Sequence, residues 1–202
     1  MLHVIQQFTG INIIQFYGPA IMKDAGFGGD SPSELLYSMM FLSTVNTVGN
    51  FIGVSLSSKH GRRELMLKCT VPMGISLLIM AGAMIINAMG KGGQMTGWIC
   101  IGCLSGYLMF FCIGFASQPW TVCGEIFPAH LRGTANSITT TTNWLFNYLL
   151  SAVFLLITST DTGKIIAYII LALSCFIAFW FTYMYVPETK DRSLEDCIRM
   201  VS

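Results

Sequence analysis

The length of its apolar stretches constrains this sequence more than any other feature. A helix that crosses a bilayer needs about 20 consecutive, mostly apolar residues. Six segments meet that demand: 2–22, 34–56, 65–89, 96–124, 133–157 and 164–185. Short polar or glycine-rich breaks separate them, among them KDAGFGGDSPS, SSKHGRRE and STDTG. The stretch LLIMAGAMIINAM is apolar all round, whereas a core helix of a soluble bundle keeps a polar outer face. Only 10% of the 202 residues are charged and 53% are hydrophobic. A soluble domain carries about 25% charged residues, so this chain has too few to solvate a water-facing surface. The expectation is an all-α membrane protein with one spanning unit, residues 1–186, and a cytoplasmic tail, residues 187–202. The first stretch lacks the charged start and unbroken apolar run of a signal peptide.

The basic residues set a direction. Lys59, Arg62, Arg63, Lys68, Arg132, Lys190, Arg192 and Arg199 fall on one side of the six spans; Lys23, Lys91 and Lys164 fall on the other. The positive-inside rule places the larger group, and with it both chain ends, in the cytoplasm. A net charge of +1 gives no field that would favour nucleic acid. The seven cysteines are scattered, and Cys100-x-x-Cys103 has no second pair or βαβ context, so it reads as small residues on a helix face. His3, His60 and His130 lie at span ends and share no motif. An intramembrane enzyme would need a clustered catalytic set; the sequence offers no catalytic residue, metal ligand set or cofactor motif.

Polar residues inside the spans are functional candidates, because hydrocarbon penalises them. The first span reads QQFTGINIIQFYGPAIM. On a regular helix Gln6, Gln7 and Asn12 would spread over about 240° of the circumference. They cannot then face one cavity unless the helix breaks, and Gly10 is the residue that permits a break at least steric cost. Gly18-Pro19 offers a second break. Discontinuous helices around a midplane cavity are how many secondary transporters build their sites. Asn46 and Asn50 share one face of the second span, and Asn143 and Asn147 share one face of the fifth. For these pairs, solute contact and interhelical hydrogen bonding are both open readings. Amides donate and accept, which suits a hydroxyl-rich ligand. The Thr139 to Thr142 run reads as close helix packing and the methionines as apolar filler.

These motifs together resemble the C-terminal half, helices seven to twelve, of a fungal-type sugar porter of the major facilitator superfamily. QQFTGIN with Phe16-Tyr17 is similar to that family's seventh-helix motif, Gly61-Arg62-Arg63 to its G-R-R loop and GEIFPAHLRG to the segment after helix ten. Asn143-Trp144 resembles its helix-eleven pair, and VPETKDRSLED its closing motif. The resemblance implies six transmembrane helices forming one half, a 3+3 repeat, of a twelve-span fold that transports a sugar by alternating access. It implies that Gln6, Gln7, Asn12, Asn46, Trp120 and Asn147 bind the sugar and that Phe16 and Tyr17 gate the site. It also implies a cytoplasmic ion-pair network of Arg62, Arg63, Glu125 and Arg132.

Four positions depart from the family pattern: Ser58 replaces an acidic residue, GFASQPW thins the proline-rich helix ten, Cys112 replaces a frequent glutamate, and Asp191 stands where glycine is usual. The chain reads as a fragment. Its expected partners are a monosaccharide such as a hexose, the lipid bilayer, the missing N-terminal six-helix half and, as a candidate coupling ion, the proton. The expected location is the plasma membrane. Carriers of a disaccharide, polyol, inositol or quinate share these motifs. A transporter-like sugar sensor is the other alternative, although only residues 187–202 follow Val186 and such receptors carry long tails.

Overall fold

The computed structural model describes residues 1–24, 32–91 and 94–200. Among them every regular element is a helix: α1 (Leu2–Phe8), α2 (Ile11–Asp24), α3 (Pro32–Ser57), α4 (Arg62–Ile86), α5 (Gln94–Phe111), α6 (Gln118–Ile126), α7 (Arg132–Ile157), α8 (Asp161–Tyr185) and α9 (Leu194–Arg199). Two wider π turns, Asn87–Lys91 and Cys112–Ala116, extend α4 and join α5 to α6. Five continuous helical stretches are long and apolar enough to cross a membrane: Ser33–Ser57, Arg62–Gly90, Met95–Ile126, Arg132–Ile157 and Thr162–Tyr185. They coincide with five of the expected spans to within three residues at each end. Most of the first expected break, KDAGFGGDSPS, lies outside the described residues.

The remaining segment, α1 with α2, is interrupted at Thr9-Gly10, where Gly10 has φ +90. A break in hydrocarbon must satisfy the backbone groups it frees. Here Gly10 N–H donates to Gln7 O at 2.9 Å and the Tyr107 hydroxyl donates to Thr9 O at 2.8 Å. Thr9 Oγ1 also donates to Gln6 O at 2.7 Å. Tyr107 and Thr9 are fully buried, so this repair is internal. The second expected break does not form: α2 continues through Pro19. Proline removes one ladder bond, but the flanking turns hold the helix together.

The core sits where α4 packs against α8 and α5. Met66, Met73, Met80, Leu104, Phe115, Ala172 and Cys175 are wholly enclosed there. Methionine fills irregular gaps between helices that meet at several angles. By contrast, only 17% of the apolar stretch of α3, and likewise of α7, is buried, against 50% for α4. Helix α3 presses on the π turn through Gly49 and Gly53, where a β-carbon would strike Cys112. That close approach sets Asn50 against Cys112 of the π turn, with Asn46 one turn before it on α3. Residues 187–200 do not trail away: α9 docks on α6 and Cys197 is buried.

Candidate functional site

The break at Gly10 turns α1 and α2 relative to each other. Gln6, Gln7 and Asn12 thereby line one cavity of about 270 Å³, which a continuous helix would forbid. Asn46 and Asn50 of α3, Cys112, Trp120, Asn143 and Trp144 complete its polar and aromatic wall. The amides are linked in series. Asn12 Nδ2 donates to Gln7 Oε1 at 2.6 Å, and Gln7 Nε2 to Asn143 Oδ1 at 2.8 Å. Asn143 Nδ2 donates to Gln6 Oε1 at 3.0 Å, and Gln6 Nε2 to the Phe115 carbonyl at 2.6 Å. Gln6, Gln7 and Asn143 are each at most 5% exposed, so these bonds hold groups that would otherwise be costly to bury. His3 stacks edge-on against Trp120, ring centroids 4.3 Å apart, with Nδ1 3.3 Å from Asn143 Nδ2.

Asn50 Nδ2 donates to Asn46 Oδ1 at 2.9 Å and lies 3.4 Å from Cys112 Sγ, so this pair answers to the cavity and to its own helix. Asn147 is placed differently. It is buried, accepts from Ser151 Oγ at 3.3 Å and is not part of the cavity wall. Phe16 and Tyr17 diverge, as neighbours on a helix must. Phe16 is exposed, whereas Tyr17 packs on Phe154 and donates to Ser151 O at 3.3 Å.

Two further hollows lie along α3 with this cavity. A second hollow of about 350 Å³, between α2 and α3, shares Gln15 and Asn46 with it. A third, of about 420 Å³, is lined by Ser57, Ser58, Arg62, Ser117, Lys190 and Asp191 near the basic end. The three follow one another along α3 from Met39 to Ser57. At 1.5 Å per residue that is about 27 Å, close to the thickness of a hydrocarbon core.

At the basic end, Arg62 Nη2 pairs with Glu125 Oε1 at 3.0 Å. Arg63 Nη2 instead donates to Tyr183 O at 2.6 Å with its guanidinium over that ring, and Arg132 Nη2 reaches Phe127 O at 3.4 Å. Glu125 Oε2, Arg62 Nε and Arg132 Nε are buried without a partner among the described residues. Sequence reasoning missed Glu188. Its carboxylate accepts from Arg62 N–H at 2.9 Å and Glu64 N–H at 3.3 Å, an anion on the positive end of α4. A β-carbon at Gly61 would overlap that carboxylate. It also missed Gln118, fully enclosed, whose Oε1 accepts from Ser57 Oγ at 3.3 Å and so ties α3 to α6. The only sequence signal for Glu188 was its place in the closing motif.

Comparison with known proteins places this geometry. The family model described as sugar (and other) transporter matches residues 1–201. The facilitated trehalose transporter Tret1 of Drosophila yakuba is 33% identical over 198 residues, covering 98% of this chain and 22% of that protein. The Tret1-2 homolog of Drosophila sechellia is also 33% identical, with 40% of its length covered. The proton:xylose symporter XylE, solved with 6-bromo-6-deoxy-D-glucose, superposes with a TM-score of 0.86 at 25% identity, over all of this chain and 42% of XylE. The inward-open form of XylE from E. coli gives 0.80. The chain therefore spans less than half the length of these relatives, and across nearly all of its own length it belongs to the sugar (and other) transporter family.

Proposed function

We propose that this chain forms the six-helix C-terminal half, built as a 3+3 repeat, of a twelve-span carrier that moves a sugar by alternating access. The observation that carries this reading is the row of three hollows along α3, with a buried amide cluster in the middle one. Hydrocarbon contact would make such a surface costly. The sparse burial of α3 and α7 fits a second six-helix half closing over it. Gln6, Gln7, Asn12, Asn46 and Trp120 line the solute cavity, with Asn147 beside it, and replace the hydration shell of sugar hydroxyls. Phe16 and Tyr17 stand at the outer approach. The Arg62–Glu125 pair, with Arg63 and Arg132 nearby, sits at the inner approach, where remaking ion pairs would bias the access state.

The relatives carry trehalose and xylose by name, so a pentose, a hexose and a disaccharide form the first panel. The proton is the first coupling ion to test, because the solved relative is a proton symporter. The proposed location is the plasma membrane, and the eight-to-three distribution of basic residues supports cytoplasmic ends for this chain. The experiment is uptake of labelled D-xylose, D-glucose and trehalose into proteoliposomes holding the complete carrier, with and without an inward proton gradient. Saturable uptake of at least one, weakened by Gln7→Ala, is expected. Uptake of all three at the level of empty liposomes would overturn the reading.

A further inference from the structure

The amide series runs in one direction only, and one backbone carbonyl fixes that direction. In a regular helix the Phe115 carbonyl would accept from the N–H four residues on, but that residue is Pro119, which has none. The carbonyl is left open, and Gln6 reaches it. A carbonyl can only accept, so Gln6 must present its NH2 there and its oxygen to Asn143. Asn143 must then turn its NH2 to Gln6 and its oxygen to Gln7. Gln7 in turn gives its NH2 to Asn143 and its oxygen to Asn12, which answers with its own NH2. Every orientation follows from the one before it. At the open end, Asn12 Oδ1 has no hydrogen-bond partner in the protein among the described residues, and Asn12 lines the cavity.

We propose that Asn143 is a positioning residue that transmits the polarity set at Phe115 across the cluster, leaving Asn12 to accept a hydrogen bond from a solute hydroxyl. Asn143 is the link that matters, because it alone bridges the two glutamines and comes from a different helix, α7. Without it, Gln7 and Asn12 are free to flip, and the cavity no longer distinguishes a solute that donates from one that accepts. Chains of hydrogen bonds also polarise one another, so the terminal oxygen is a better acceptor than an isolated amide. This inference rests on the carrier reading above.

The test compares, in the complete carrier, the affinity for whichever panel sugar is transported with that for its monodeoxy and monofluoro analogues. A deoxy position neither donates nor accepts; a fluoro position accepts weakly and cannot donate. In the wild-type carrier, at least one hydroxyl position should show deoxy and fluoro analogues both weakened by about tenfold or more. Asn143→Leu should restore the fluoro analogue relative to the deoxy at that position, to a ratio of about threefold or more. Asn143→Gln keeps both a donor for Gln6 and an acceptor for Gln7 and should preserve the wild-type pattern. A wild-type carrier showing no such position overturns the inference. So does Asn143→Leu that lowers parent and analogues alike, and so does Asn143→Gln that binds the parent sugar but loses the pattern. Failure of the carrier reading is separate: none of the panel sugars is then taken up at all.

Discussion

The middle of this bundle and its basic end solve the polar-group problem in opposite ways. In the middle, Gln6, Gln7 and Asn143 are each at most 5% exposed, and these neutral amides are joined in a directed series. At the basic end the groups are charged, with Arg62 and Glu125 about a fifth to a quarter exposed, and the pairing is incomplete: Arg62 holds Glu125, while Arg63 and Arg132 turn to carbonyls. The difference follows from solvation. An unpaired amide in a dry interior costs about 1–3 kcal/mol, so the enclosed amides of Gln6, Gln7 and Asn143 must satisfy one another. Near water an ion pair is worth about 0–1 kcal/mol, so the end tolerates loose partners and can exchange them. One region is suited to holding a fixed pattern of donors and acceptors, the other to switching.

Gly10→Val should do the most damage, and it strikes the middle. The position needs φ +90, and a β-carbon there meets Leu171. A β-branched side chain cannot adopt that backbone without strain, and the contact adds overpacking; together the cost is about 2–4 kcal/mol. Thermal unfolding in detergent should show it as a large drop in midpoint. A variant as stable as the wild type would mean that the interruption of α1 and α2 is not what organises the amides.

Tyr107→Phe comes next. It keeps the ring in place and removes only the hydroxyl that satisfies the Thr9 carbonyl. The orphaned carbonyl should cost about 1–3 kcal/mol, with no dependence on salt. This isolates the claim that the break is repaired internally.

At the basic end, the comparison sharpens through a double-mutant cycle on Arg62 and Glu125. Both side chains are more than a fifth exposed, so the coupling energy should be about 0.5–1 kcal/mol and should shrink as salt is raised. A salt-independent coupling of several kcal/mol would place this pair in the same regime as the amides and erase the contrast.

How much of this was legible in the sequence also divides along these lines. Five of the six expected spans were readable because bilayer thickness acts on composition residue by residue. The break at Gly10 was readable because three amides spread around a regular helix cannot share a cavity, and a glycine lay between them. The breakless Pro19 was not, since a proline shows where a helix can bend but not whether its neighbours hold it straight. Nor was the choice between Asn143 and Asn147. Both lie on one face of α7, and only the packing of α1 against α7, more than 130 residues away in sequence, puts Asn143 between the glutamines. Glu188 was hidden for the same reason: its partners are the backbone N–H groups of Arg62 and Glu64, which no side-chain pattern reveals.

The smallest predicted effect concerns Asp191, which departs from the glycine usual at that place. It has φ +57, in the left-handed region that glycine enters freely and other residues enter at a cost. Aspartate is among the residues that bear it best, and its side chain is 85% exposed with only a loose 3.9 Å approach to Lys190. Relief of backbone strain in Asp191→Gly should therefore exceed the loss of that weak pair. The glycine's extra freedom in the unfolded chain offsets part of the gain, leaving a net stabilisation of about 0.5 kcal/mol. Because Glu188 also accepts from Lys190 N–H at 3.2 Å, a relaxed turn at residue 191 should hold that carboxylate more firmly on α4. The check is a chemical-denaturant midpoint for Asp191→Gly in the wild-type background and again in Glu188→Gln. A gain that survives in the second background belongs to the turn alone, whereas one that disappears shows that the turn acts through Glu188.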